Sequence, residues 1–209
     1  MSQLFNLNSP LFKFLSRAVD LVILNFLFVL FCVPIFTIGA SLTALYTVLL
    51  KMVRDEDQYI IKSFIISFKK NIKQSTIVWF IMLSAGLLLL ANFLLLGSLN
   101  GVPMIFFAST LIVFAFVYLC SLLFIFPYMA RYEDTIKTSI LNSLLLGFSN
   151  FPYLLILMIL TLVPVIFIFS SSLGILSGLY FGTFGGFALF AFFNSYIFRK
   201  VFSKYEVKT

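Results

Sequence analysis

The chain has no histidine and only two cysteines in 209 residues. A structural zinc site draws on a set of Cys and His ligands, and this sequence offers no such set. Cys32 and Cys120 each lie inside an apolar run, where they read as buried thiols and not as a disulfide framework. Charge is scarce too: Asp, Glu, Lys and Arg make up 10% of the residues, against about 25% in soluble domains. No glycine loop that could cradle a phosphate, no nucleophile–base pair and no metal-ligand spacing is visible. Nothing in the sequence therefore argues for an enzyme, and no cofactor or metal is expected.

What fills the space is apolar. The hydrophobic fraction is 62%, including 29 phenylalanines, against about 45–50% apolar in soluble domains. A soluble chain of this length could not bury that many aromatic rings, so lipid must solvate much of the surface. The length suits one integral membrane domain over residues 1–209. The net charge of +7 sits beside apolar spans instead of on a basic face. It points to anionic lipid headgroups and away from nucleic acid.

The charges fix a topology. Every charged side chain except Asp20 falls into four clusters that carry Lys or Arg, three of them net basic and the third along the chain balanced: Lys13 with Arg17, Lys51 to Lys73, Arg131 to Lys137, and Arg199 to Lys208. The uncharged connections around Gly97 to Pro103 and Ser170 to Gly178 lie between them. By the positive-inside rule all four clusters share the cytoplasmic side, which places both termini there. Ser75 to Leu96, Met104 to Tyr128, Phe151 to Phe169 and Leu179 to Phe198 each meet the length of about 20 residues that a span requires. Ala18 to Leu50 has basic residues at both ends, so it must enter and return, with Pro34 to Gly39 as its turn. Arms of 16 and 14 residues reach only about 24 and 21 Å, short of the roughly 30 Å core. A shallow or re-entrant hairpin inside the bundle is the natural placement. A signal peptide over the same residues, cut near Ala40, would leave the second cluster outside, against the charge rule. The expected fold is thus an all-α membrane bundle of about six embedded helices in three hairpins.

Two stretches read as amphipathic helices in the headgroup plane. In the first, Ile60, Ile61, Phe64, Ile65, Phe68 and Ile72 share a face opposite Lys62, Ser63, Lys69, Lys70 and Lys73. In the second, Ile136, Ile140, Leu141, Leu144, Leu145 and Phe148 form the apolar face. Met52-Val53-Arg54-Asp55-Glu56-Asp57 matches Met129-Ala130-Arg131-Tyr132-Glu133-Asp134 at four of six positions. Three parallel tandem units, 1–57, 58–134 and 135–209, are one reading of this; the other is that charged exits from membranes resemble one another.

Other residues are weighed against plain packing. Gly174, Gly178, Gly182 and Gly186 recur at a strict four-residue interval, which suits a close helix contact, within the chain or in an oligomer. Gly39, Thr43 and Thr47, beside Ala40 and Ala44, mark a second tight face. Asp20 lies about one turn from Arg17, where a local ion pair accounts for it without a role in ion passage. Asn25, Asn92, Asn142 and Asn194 read as interhelical hydrogen-bond donors, and the Asp55 to Asp57 run as a cap for the helix that follows.

The run Pro34-x-x-Thr37-Ile38-Gly39-Ala40-Ser41-x-Thr43-Ala44-Leu45-Tyr46, followed by Leu50-Lys51-Met52-Val53-Arg54, resembles the YesL family of bacterial integral membrane proteins. Ser67-Phe68-Lys69-Lys70-Asn71-x-Lys73-Gln74-Ser75-Thr76-Ile77-x-Trp79 is similar to that family's second signature. The resemblance covers roughly residues 10 to 80. It implies a multi-pass protein of the bacterial cytoplasmic membrane with a frequent genomic association with carbohydrate ABC importers, whose permease subunits are the candidate partners. It brings no catalytic residue; Pro34, Thr37, Gly39, Ala40, Ser41, Thr43, Ala44, Tyr46, Lys51 and Arg54 are signature positions only. The functional expectation is a non-enzymatic accessory or regulatory subunit, with a small autonomous transporter or channel as the alternative. Arg54, Lys62, Lys69, Lys70 and Lys73 form the expected partner or membrane surface.

Overall fold

The computed structural model describes residues 10–56, 59–98 and 100–206. Asn6, Asp57, Gln58, Lys208 and Thr209 lie outside the described residues, as do the side chains of Leu11, Phe12 and Lys13. Among the described residues eight α-helices follow in order: α1 (Pro10–Cys32), α2 (Ile38–Val53), α3 (Ile60–Leu96), α4 (Val102–Arg131), α5 (Ile136–Ser149), α6 (Phe151–Phe169), α7 (Ser172–Phe181) and α8 (Phe187–Phe202). A single 3₁₀ turn, Ile35–Thr37, joins α1 to α2, and a π-helical segment, Gly182–Gly186, joins α7 to α8. No strand occurs among the described residues, and six helical stretches are long and apolar enough to cross a membrane. The protein is an all-α membrane protein.

Helix α2 is the pillar of the bundle, packing on α1, α3, α4 and α8. One core cluster joins Leu24 and Phe28 of α1, Ala44, Leu45, Val48 and Leu49 of α2, and Phe64 and Phe68 of α3. A second joins Leu50 of α2, Cys120 and Phe124 of α4, Leu154 and Leu157 of α6, and Phe198 and Phe202 of α8. Small residues make this closeness possible: Ala40, Ala44, Ser41 and Thr43 are all fully buried. Helix α2 ends where Asp55 takes a left-handed φ of 58°, a conformation Asp tolerates better than most side chains.

The segment from Ile60 to Ile72 is not a separate surface helix. It is the first part of α3, which runs unbroken for 37 residues, about 55 Å at 1.5 Å per residue. Phe64 and Phe68, expected to face lipid, are buried, with Phe31 of α1 edge-on to both rings. The second amphipathic stretch is a helix of its own, α5, capped by the Thr135 hydroxyl accepting from the Thr138 amide. Its packing face is the small one, Ser139, Ser143 and Gly147, while Leu141, Leu145 and Phe148 are exposed.

Burial is uneven along the bundle. Met82 is the last buried residue of α3 and Cys120 the first of α4. In α6 burial ends at Met158. Beyond these points α3 pairs with α4 and α6 with α7, so the outer halves leave the core as two-helix arms.

Candidate functional site

Two polar stripes zip α2 to α3. Gly39, Thr43, Thr47 and Lys51 recur every four residues on α2, and Ser63, Ser67, Asn71 and Ser75 do so on α3. A four-residue step keeps one helix face, and the antiparallel helices bring the two faces together. The Thr43 and Ser75 hydroxyls lie 2.9 Å apart, Ser67 donates to Thr47 Oγ1 at 2.9 Å, and Lys51 Nζ donates to Ser63 Oγ at 3.2 Å. Asn71 donates to the Ser67 carbonyl at 3.0 Å. Thr43 and Thr47 also donate to carbonyls one turn back, Gly39 O and Thr43 O. At the top of the seam Gly39 admits no side chain: a Cβ there would meet Ser75 O at 2.5 Å and Trp79 Cβ at 2.7 Å. Gly39 thus belongs to the first turn of α2, one step past the hairpin bend. The bend rests on Pro34 and on the Thr37 hydroxyl, which donates to Phe31 O at 2.6 Å. Tyr46 places its ring edge-on to Phe198, centroids 5.7 Å apart.

The basic clusters meet at one end of the bundle. Arg17 pairs with Asp55, joining the first cluster to the second. Lys70 pairs with Glu133, joining the second to the third. Arg131 pairs with Glu206 at 2.7 Å, joining the third to the fourth. Arg199 closes the circuit by donating to the Val53 carbonyl at 2.6 Å. Arg54 holds Leu50 O through Nε and lies 3.6 Å from Glu56. Asp55 and Glu56 therefore meet arginines instead of capping α3, whose first turn has no side-chain cap. Asp20 is half-buried beside Ser16, Tyr59 and Lys62, in a cleft of about 740 Å³. Lys62, Lys69, Lys70 and Lys73 are exposed along α3.

A network that the sequence reading missed knits α5 to this end. Tyr128 donates to Asp134 and accepts from Asn142 at 2.8 Å, and Gln74 of α3 donates to the Asp134 carbonyl. Asn150 donates to the Tyr205 hydroxyl at 2.9 Å and accepts from Lys204, whose ammonium also sits over the Tyr153 ring. These contacts join residues far apart in sequence and leave no periodic trace in it.

The four spaced glycines do not share one helix face. The helix breaks at Gly182–Gly186, where Gly185 has a φ of 152°. Gly174 abuts the carbonyls of Phe167 and Ile168, and Gly178 the Ile168 side chain, so both serve the α6–α7 turn. The space a Cβ would take at Gly182 and Gly186 is filled by Phe187 and Phe181 across the break. Asn25 of α1 repairs that break: its amide donates to Gly182 O at 2.9 Å and Thr183 O at 3.0 Å, and its carbonyl accepts from Ala188 N at 3.1 Å. Asn142 also bonds between helices, but Asn92 donates to Leu88 O of its own helix. Asn194 is buried on α8.

A cleft of about 800 Å³ lies between the outer halves of α3 and α4, lined mainly by Leu88, Leu95, Phe107, Phe114 and their neighbours, with Asn92, Ser98, Thr110, Tyr118 and Ser121 as polar points. Among the described residues no group of His, Cys, Asp and Glu could hold a metal ion.

Residues 21–93 match the protein family described as protein of unknown function, DUF624. The match begins at Leu21 in α1, takes in the whole of α2 and ends near the close of α3, so it contains the complete polar seam. No curated protein and no solved structure matches the chain.

Proposed function

We propose that this protein is a non-enzymatic accessory or regulatory subunit of the bacterial cytoplasmic membrane, both termini cytoplasmic. The observation that carries this reading is the closure of the bundle around α2. The hydroxyls of Thr43, Thr47, Ser67 and Ser75, which could otherwise line a polar path, are engaged between helices. A solute carrier places its binding groups at bilayer depth in a cavity between repeats. Here a cleft of about 800 Å³ between the outer arms α3 and α4 is mainly apolar. Such arms suit contact with the transmembrane helices of another subunit.

The first hairpin enters from the cytoplasmic side and turns within the bilayer. The Thr47 hydroxyl reaches Ala130 O, one residue before the end of α4, and this reading takes that shared level as the cytoplasmic edge on both helices. From Ile38 to Thr47 α2 rises about 14 Å, roughly half of a 30 Å core. The tip carries Val33, Ile35 and Phe36, exposed by 74%, 69% and 54%. Lipid solvates such a tip, whereas water would oppose it.

The link to a carbohydrate ABC importer rests on the resemblance to the YesL family, an argument by association. Affinity purification from the native cell in mild detergent tests it, together with sugar uptake after deletion. Permease subunits are expected to co-purify, and uptake to fall. Flux of a solute through liposomes holding the purified protein alone would overturn this reading in favour of an autonomous transporter.

A further inference from the structure

The return helices α2, α4 and α8 each bring an arginine to the same place. Arg54 follows the last residue of α2, Arg131 ends α4 and Arg199 lies in the last turn of α8. Arg54 and Arg131 occupy equivalent positions in the two matching sequence runs. Val53 O takes the Arg199 Nη1 bond at 2.6 Å, and Thr47 touches Ala130 O, so the three helix ends are held side by side. Tyr132 and Phe202, edge-on with centroids 5.6 Å apart, form an apolar floor beside them. Two carboxylates face the three guanidiniums. Glu56 is 3.6 Å from Arg54, and one oxygen of Glu206 takes both the Nε and Nη2 bonds of Arg131 at 2.7 Å.

Three cations against two anions leave a surplus positive charge, and the cations act on one another. Burial first, and then the Arg131 charge, hold the Arg54 guanidinium below its ordinary pKa. Compensation of helix C-terminal dipoles accounts for arginines at helix ends. It does not account for Arg131 bonding a carboxylate from the chain's own last turns, with Arg54 near enough to feel the charges of Arg131, Arg199 and Glu206. Guanidinium forks match carboxylate and phosphate oxygens alike.

We propose that Arg54, Arg131 and Arg199 form a phosphate-binding site at the cytoplasmic end of the bundle, with Glu206 as the resident carboxylate that a phosphate group displaces. The phosphate belongs either to an anionic lipid headgroup or to a soluble phosphate. The height of the site, beside the apolar ends of three membrane helices, suits a headgroup.

The test uses the full chain in uncharged detergent at low salt, titrated with dihexanoyl phosphatidylglycerol, dihexanoyl phosphatidylcholine or glycerol phosphate, with binding followed by calorimetry. Saturable binding of phosphatidylglycerol is expected, with phosphatidylcholine much weaker. Glu206→Gln removes the competitor and should tighten binding by about tenfold, while Arg131→Gln should weaken it by about tenfold. Where Arg131→Gln does not fold, Arg131→Lys keeps the charge, loses the fork and should still bind more weakly. Equal binding of glycerol phosphate assigns the site to soluble phosphates; preference for phosphatidylglycerol assigns it to lipid. A purely structural role for the arginines predicts that Glu206→Gln lowers stability without any gain in binding. That result, or absence of saturable binding in both wild type and Glu206→Gln, overturns the proposal.

Discussion

Replacing Gly39 with alanine tests whether the α2–α3 seam is as tight as its geometry says. The new Cβ would lie 2.5 Å from Ser75 O, 2.7 Å from Trp79 Cβ and 3.1 Å from Phe126 Cε1. The first two atoms are fixed to the α3 backbone and cannot swing aside as a flexible side-chain end could. To move Ser75 O from 2.5 Å to the 3.4 Å of ordinary contact, the helices must part by about 0.9 Å in a core packed as densely as an organic crystal. The same movement carries the Thr43–Ser75 bond from 2.9 Å past hydrogen-bonding range. Overpacking of this kind costs about 1–3 kcal/mol, and an interhelical hydrogen bond in a membrane averages about 0.6 kcal/mol. Gly39→Ala should therefore lose about 2–3 kcal/mol, and Gly39→Leu should lose more. The reporter is built in: Trp79 is the sole tryptophan and stands against Gly39. Its emission, followed through unfolding in mixed anionic and neutral micelles, reads both stability and local packing. Gly97→Ala serves as a control, since its Cβ would meet only Leu94 O at 3.8 Å, and it should stay within about 0.5 kcal/mol of wild type. A Gly39→Ala protein with wild-type stability and unchanged Trp79 emission would refute the seam.

Asn25→Leu removes three bonds across the α7–α8 break and should cost about 2–4 kcal/mol in the same assay, because the buried Gly182 carbonyl and Ala188 amide lose their partner; an unchanged midpoint would show that the break needs no staple. Tyr128→Phe severs the link from Asp134 to Asn142, so amide exchange in residues 136–149 should quicken while that in α2 stays slow. In a cysteine-free background, cysteines at Asn100 and Ser172 should react with an impermeant maleimide from outside intact cells, and one at Thr138 only after permeabilisation. A cysteine at Phe36 should resist the reagent from both sides; labelling there from outside would mean that the first hairpin spans the membrane fully.

The apolar runs made the class and most span positions legible. Phe151–Phe169 is α6 to the residue, and the other long runs lie inside α3, α4 and the α7–α8 pair. The gathering of the charge clusters was legible too, because clusters bearing Lys and Arg at the ends of paired spans are expected on one side. The seam was half legible. Gly39, Thr43 and Thr47 announced a tight face on α2, but the matching interval Ser63, Ser67, Asn71 and Ser75 on α3 was hidden among lysines, and of these only Ser63 was placed on a helix face. The glycine interval misled for a different reason. Four-residue spacing implies one face only while the helix continues, and Gly185 at φ 152° stops it from continuing.

The largest departure, the unbroken α3, has a simple cause. An apolar stripe at helical spacing forms against lipid headgroups and against a neighbouring protein helix alike, since both remove the same side chains from water. Continuity carries the information that distinguishes them. Between Ile60 and Leu96 there is no proline and a single glycine, Gly86, so nothing breaks the hydrogen-bond ladder between the cationic part and the apolar part. A surface helix would have to turn sharply near Gln74 to become a span, and sharp turns in helices come from proline, glycine pairs or π-bulges, none of which lies there. A straight α3 instead carries its lysines past the end of α4, and the vacant apolar stripe above them is covered by Phe31 and by α2. The hairpin α1–α2 thus packs on the apolar face that α3 offers beside its cationic edge, and Arg17 with Asp55 and Lys51 with Ser63 fasten it there.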